Sequence, residues 1–463
     1  MPVADYLEQH RARFLDELLA WLRIPSVSAD PAYADEVRRA AEFVAARLRD
    51  AGADAVELVE TPGHPVVYAE KMVDPNAPTV LVYGHYDVQP ADPVDLWTTP
   101  PFDPVVRASE THPDGAIYGR GAADDKGQAY MHVKAFEAMH ATGELPCNVR
   151  FVVEGEEEVG SANLAGFVAA HRDRLACDVV LVSDTPLIAN DVPSLTVGLR
   201  GLAYLEVTVT GPDRDLHSGI YGGAVANPIN ALCEAIAGLT DERGRITVPG
   251  FYDDVVELGA GEREALAAAP FDADAYARDL GVAEVAGGER HDYSPPERAS
   301  IRPTLDVNGI WGGYTGAGAK TVLPSRAHAK ISLRLVPAQD PERVAEAFAD
   351  HFRHLAPPGV RVDVRPHHGG VPAVLPTDSP EYRAAAEAME ATFGRAPIPS
   401  RGGGSIPIVA LFERELGVKC VLMGFGLPSD DIHSPDEHFG VWNFHRGIET
   451  IPGFYRAYAA LKR

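Results

Sequence analysis

The chain has 463 residues, 46% hydrophobic and 23% charged, which is the balance of a folded globular protein rather than a disordered or fibrous one. At about 150 residues per domain it is long enough for two or three domains. Lys and Arg number 41 against 67 Asp and Glu, a net charge of −26 that argues against phosphate backbones, so no nucleic-acid partner is expected. The four cysteines, Cys147, Cys177, Cys233 and Cys420, include no CxxC pair and suit a reducing compartment. The N-terminal stretch carries charges throughout, and no run approaches the roughly 18–20 apolar residues that cross a bilayer, so a cytoplasmic chain with no membrane partner is expected.

In chain order, Leu7, Phe14, Leu15, Leu18, Leu19 and Leu22 recur at helical spacing and end at Ile24-Pro25, which predicts an amphipathic opening helix over residues 5–22. A second helical pattern runs from Val37 to Leu48 and stops at Gly52. Apolar runs at residues 65–68 and 79–83 read as buried strands. Helix, strand, helix and strand then follow at residues 128–140, 149–154, 161–171 and 178–183. Such alternation implies an α/β layer with a mixed, largely parallel central sheet flanked by helices. After about residue 195 the pattern changes. Residues 202–210 and 327–336 alternate apolar and polar positions, as antiparallel strands with one covered face do, and mark an inserted α+β domain. A Pro-containing return near residues 372–380 leads to a helix at 380–393 and a strand at 418–423. The expected domains are residues 1–195 with 376–463, and an insert at 196–375.

Candidate chemistry falls just after predicted strands, where open α/β sheets place their ligands. His85 and Asp87 follow the strand at 79–83; a histidine there either binds metal, with its other nitrogen held by Asp87, or hydrogen-bonds structurally. Asp124 and Asp125 close a Gly-rich turn that opens a helix, where acids also complement the helix dipole. Glu154, Glu156, Glu157 and Glu158 crowd four carboxylates into five positions, and such repulsion calls for solvent or a cation. Asp184 ends another strand, and His433 lies in Asp431-Ile-His433-Ser-Pro435. As a set, two histidines and several carboxylates suit a pair of divalent ions.

The order His, Asp, Glu-Glu, Asp, His, each after a strand, resembles the M20 family of dinuclear metallopeptidases, and within it the cytosolic non-specific dipeptidase and carnosine dipeptidase branch. The resemblance extends through Trp97, Pro101-Phe-Asp-Pro104, Asp215-Leu-His-Ser-Gly-Ile-Tyr-Gly-Gly223, Lys320-Thr-Val-Leu-Pro324, Ser332-Leu-Arg-Leu-Val-Pro337 and Arg401-Gly-Gly-Gly-Ser-Ile-Pro407. It implies a metallopeptidase catalytic domain and an inserted lid and dimerisation domain. It further implies that His85 and Asp184 bind one ion, Glu158 and His433 a second, and Asp124 both, the ions being zinc or manganese. Asp87 would orient His85, and Glu157 would be the general base. His217 would reach the active site of the other subunit of a homodimer, and Arg334, Thr321 and Ser405 would hold a small peptide substrate, Arg334 at its carboxylate. The bond Asp124–Asp125 is expected to be cis.

The reaction expected on this basis is hydrolysis of dipeptides. The same residues would serve an N-acyl amino acid deacylase or desuccinylase, and a homologue lacking catalysis would be a binding or scaffold protein; no ligand or base position is lost here. Residues 313–321 imitate a phosphate loop, but Ala319 separates Gly318 from Lys320 and breaks the pattern. His367-His368 reads as a solvated loop pair rather than a metal site.

Overall fold

A computed structural model describes residues 1–404 and 406–461. The opening helix, Val3–Leu22, buries Phe14, Leu18, Trp21 and Leu22 along one stripe. The next, Ala34–Asp50, buries Val37, Ala41, Val44 and Leu48, with Asp35 and Glu36 at its positive end and Arg47 and Arg49 at its negative end. The helix Lys126–Thr142 is buried from Lys126 through Met139 and is stopped by Gly143, whose φ of 72° closes the last turn.

The chain divides into two compact units, one of residues 1–197, 375–400 and 411–463, the other of residues 198–374 and 401–410. In the first, strands lie in the order Ala55–Val59, Val66–Lys71, Asn148–Glu154, Thr79–His85, Val179–Val182, Lys419–Leu422 and Ser194–Leu199. The four central strands run parallel, Asn148–Glu154 and Val179–Val182 on either side of Thr79–His85, and Lys419–Leu422 beyond Val179–Val182. Antiparallel strands flank them, so the sheet is mixed with a parallel centre. A small antiparallel sheet joins Val105–Arg107, Ala116–Tyr118 and His438–Gly440.

One long element had no sequence expectation. The helix Val441–Leu461 contains Pro452 and two glycines, which argue against a helix when read locally. Tertiary packing overrides that signal: a Cβ on Gly447 would sit 2.0 Å from Met131 Sδ, so glycine here makes room for the Met131 side chain of the helix Lys126–Thr142.

The second unit carries a four-stranded antiparallel sheet ordered Thr304–Gly312, Arg326–Leu335, Gly201–Thr210, Arg361–Gly370. Along Gly201–Thr210 buried and half-buried positions alternate, and Leu205, Val207 and Val209 face a core shared with Ile331, Leu333, Phe348 and Phe352. The last two come from the helix Pro341–Leu355. Residues 401–410 group with this unit, where the Arg200 guanidinium donates to the Gly403 carbonyl at 2.8 Å and the Arg200 N–H to Gly404 at 3.1 Å.

Candidate metal centre

The carboxyl ends of the parallel strands gather the functional side chains of the first unit. His85 ends Thr79–His85, in register with Glu154 at the end of Asn148–Glu154, and Asp184 lies two residues beyond Val182. Asp124 enters from the turn before the helix Lys126–Thr142, across a cis bond to Asp125. Gly84 lets that helix pack against the strand end, since a Cβ there would meet both Ala129 and Asp125 at 2.9 Å.

Asp124 divides its carboxylate between two histidines: Oδ1 lies 3.1 Å from His85 Nε2 and Oδ2 lies 2.9 Å from His433 Nε2. Two sets of potential ligands share it, His85 with Asp124 and Asp184, and Asp124 with Glu158 and His433; within each, one donor atom per residue lies within 4.8 Å of the others. His433 Nε2 is also 3.3 Å from Glu158 Oε2.

Neighbouring groups hold this arrangement. Asp87, fully buried, places Oδ1 3.4 Å from His85 Nδ1 and accepts the backbone N–H groups of Glu157 and Glu158 at 3.3 and 3.1 Å, and the Ser28 hydroxyl at 2.7 Å. The Asp87 carbonyl accepts from His85 Nδ1 at 3.1 Å, so Asp87 orients the histidine chiefly through its backbone and the turn bearing Glu157 through its carboxylate. Gln89 donates to Glu158 from its backbone at 3.1 Å and its side chain at 2.8 Å. Asp125, read from sequence only as an acid at a helix start, takes a further role, and Glu437 was missed altogether. Asp125 Oδ2 accepts the His85 N–H at 3.1 Å. Glu437, fully buried, accepts from Arg120 Nη1 at 2.6 Å and from the backbone N–H groups of Gly121, Ala123 and Asp124 at 3.0, 3.0 and 3.1 Å, fixing the turn that presents Asp124. An acid four residues after His433 was the available signal.

The electrostatics indicate what the set lacks. Burial pushes Asp184 well above the carboxylate range, with Asp124 and Asp125 adding to the rise. Burial likewise lifts Asp125 to about 8, Glu157 to about 7, and Glu158 above its ordinary value. Against burial, His433 and His85 hold Asp124 well below its ordinary value. Asp124 and Glu158 hold His433 up at about 10, and Asp124 and Asp87 keep His85 high despite burial. So many buried carboxylates around two imidazoles need added positive charge to remain ionised, and nitrogen and oxygen donors in two sets sharing one carboxylate fit a pair of divalent ions.

The remaining residues predicted from sequence lie in the second unit. His217 is exposed; its Nδ1 accepts the Gly219 N–H at 3.0 Å, and it pairs with Val322 in a two-stranded ladder. Ser218 N donates to the Thr321 carbonyl at 3.1 Å, so His217 and Thr321 are neighbours. Arg334 is half-buried on Arg326–Leu335, between Thr304 and Leu202, and burial lowers its pKa. Arg334 in turn lowers Arg200, already lowered by burial, to about 10. Ser405 lies outside the described residues. His367 Nε2 is 3.3 Å from Glu206 Oε2 on an exposed face.

A parallel-centred sheet that collects shared carboxylate and histidine donors at its strand ends defines a metal-dependent hydrolase of the α/β type. The chain belongs to peptidase family M20/M25/M40, which matches residues 81–456. It is 34% identical to the Cys-Gly metallodipeptidase DUG1 of Candida albicans, over 99% of this chain and 97% of that protein. It is 32% identical to the human Beta-Ala-His dipeptidase, over 99% and 92%. Among solved structures, the M20 family metallo-carboxypeptidase Sso-CP2 of Sulfolobus solfataricus superposes with a TM-score of 0.85 at 32% identity, covering 96% of this chain and 99% of that one. Among the described residues, no helix is long and apolar enough to cross a membrane.

Proposed function

We propose that this chain hydrolyses the peptide bond of dipeptides in the cytoplasm, as a homodimer using two divalent ions, zinc or manganese. The observation that carries the reading is the carboxylate of Asp124, shared between His85 and His433, beside the half-buried Glu157. His85 and Asp184 would hold one ion, Glu158 and His433 the other, and Asp124 both. Such ions polarise the scissile carbonyl and acidify the attacking water. Glu157, which burial holds near neutrality at about 7, takes a proton from that water as its oxygen bonds to the carbonyl carbon. As the C–N bond breaks, Glu157 passes the proton to the leaving amine, ending with a carboxylic acid, an amine and a restored base. Asp87 keeps His85 and the Glu157 turn in place. His217 of the other subunit would donate to the developing oxyanion, and Arg334, Thr321 and Ser405 would hold the substrate, Arg334 by its carboxylate.

A panel of dipeptides and N-acyl amino acids, assayed with zinc, with manganese and after chelation, tests the reading. Dipeptides should be cleaved and acyl amino acids spared, with activity lost on chelation and restored by metal. Preferential cleavage of acyl amino acids would replace the reading with a deacylase, and no turnover of either class under any metal condition would favour a binding protein.

A further inference from the structure

A second group of buried titratable side chains lies in the first unit, apart from the Asp124 centre. His112, Asp430 and His438 are 2%, 0% and 8% exposed. One donor atom from each lies within 4.8 Å of the other two. His438 is brought there by the small sheet, where it pairs with Tyr118 and stacks on its ring at 4.8 Å between centroids.

The protons of this group can be placed. Asn443 Nδ2 donates to Asn190 Oδ1 at 2.7 Å and to the Phe425 carbonyl at 2.9 Å, which occupies both its amide hydrogens. Asn443 Oδ1 therefore faces His112 Nδ1, 3.2 Å away, as an acceptor, and that nitrogen carries the hydrogen. The other ring nitrogen, His112 Nε2, lies 2.9 Å from Asp430 Oδ1. Both atoms are buried, and apart from this contact neither has a hydrogen-bond partner among the described residues. Asp430 Oδ2 is occupied by the Leu427 N–H at 2.8 Å. In His438, Nδ1 donates to the Asp436 carbonyl at 2.9 Å, so Nε2 is the ring nitrogen free to act as a ligand. Two imidazole rings and a carboxylate thus converge in a buried space, with one donor atom of each within 4.8 Å of the others, and a cation held between them would satisfy all three.

We propose that His112, Asp430 and His438 form a further metal-ion site, taking a divalent ion of zinc-like preference, since two imidazole nitrogens and one carboxylate oxygen are the donors such ions favour. Its place in the chain gives it a purpose. Asp430 and His438 bracket the loop that carries His433, and the His438 N–H donates to the Asp430 carbonyl at 2.9 Å across the base of that loop. Within it Asp431, His433 and Asp436 hold φ values of 52°, 60° and 62°, a left-handed backbone uncommon outside glycine, though Asp and His adopt it more readily than most, and three such residues in one loop gain from outside support. An ion at the base of the loop would supply that support and tie it to the His112 turn.

The test counts ions on the whole chain. Purified protein is loaded with zinc, cleared of loosely held metal and measured by elemental analysis, as unmodified chain and as His112→Asn and His438→Gln. Each variant should carry one zinc fewer per chain with unchanged far-ultraviolet dichroism. Equal zinc in all three overturns the site and leaves His112 and Asp430 as a plain buried pair. A second arm does not need those variants to fold: a chain with His85→Ala and His433→Ala, which disables the Asp124 centre, should retain one zinc whose X-ray absorption shows imidazole ligation. Retention of none, or of zinc with oxygen ligands only, overturns the proposal. Failure of the Asp124 centre itself would show instead in the unmodified chain, as a single zinc that His112→Asn removes.

Discussion

Arg120 and Glu437 face each other at 2.6 Å, 1% and 0% exposed as side chains, with the N–H groups of the Asp124 turn on the same carboxylate. Removing one member of such a pair leaves the other charge buried and uncompensated, at a cost of about 3–5 kcal/mol. Glu437→Ala should therefore lower the unfolding free energy by that order in a denaturant titration and weaken metal retention, because Asp124 loses its backbone anchor. An unchanged midpoint would show that the turn holds itself.

Glu157 and Glu158 are adjacent, but only Glu158 belongs to a donor set. Glu157→Ala should keep its metal and lose about 10²- to 10⁴-fold in kcat, the usual contribution of general acid–base catalysis. Glu158→Ala should lose metal. Elemental analysis beside steady-state rates decides, and loss of metal in the first variant alone reverses the two roles.

Arg334 sits half-buried on an antiparallel strand, where burial works against its charge. If it grips a substrate carboxylate, a dipeptide and its C-terminal amide should differ in kcat/KM, and Arg334→Ala should erase most of the difference. Equal turnover of acid and amide by the unmodified enzyme removes the assignment.

For His217 a mixing experiment applies. A heterodimer of a His217→Ala subunit with a Glu157→Ala subunit should contain one intact site and outperform both parent homodimers, each expected to be about 10²-fold or more impaired. Activity no higher than the parents' excludes a contribution across subunits.

His445, 5% exposed on the helix Val441–Leu461, is held down to about 3 by burial, with Arg11 adding. Its folded pKa lies below the unfolded value near 6.5, so between those limits only the unfolded chain binds the proton and stability falls as pH falls. At pH 5 the penalty is about 2 kcal/mol, from about 1.36 kcal/mol per pH unit over the 1.5 units below 6.5. The drop in Tm between pH 7.5 and pH 5 should be smaller in His445→Gln than in the unmodified chain. Equal drops would mean that His445 does not titrate with unfolding.

Much of the α/β layer was legible because apolar runs and their bounding turns are local: residues 79–83 lie within Thr79–His85, and residues 128–140 within Lys126–Thr142. The same locality exposed His85, Asp124, Glu158 and Asp184, each just beyond a strand or before a helix. What escaped depends on distance along the chain. Glu437 acts on backbone groups more than 300 positions earlier, and nothing beside it in sequence marks those partners. The helix Val441–Leu461 was hidden by Pro452, Gly447 and Gly453, which read as breakers until Met131 and Ala388 are seen packed against the glycines.

The strand Lys419–Leu422 lies inside its sheet, between Val179–Val182 and Ser194–Leu199, both of which leave the ribosome more than 200 residues sooner. Those earlier strands cannot be completed by their neighbours alone, so the sheet has an open slot with unpaired backbone groups until residues 419–422 are in place. Residues 198–374, in contrast, form the bulk of the second unit as one continuous stretch and can settle first. The Asp124 centre therefore depends on residues far along the chain: without those beyond residue 413 it lacks His433, Glu437 and the helix behind them, and is open at the very face where its acids converge.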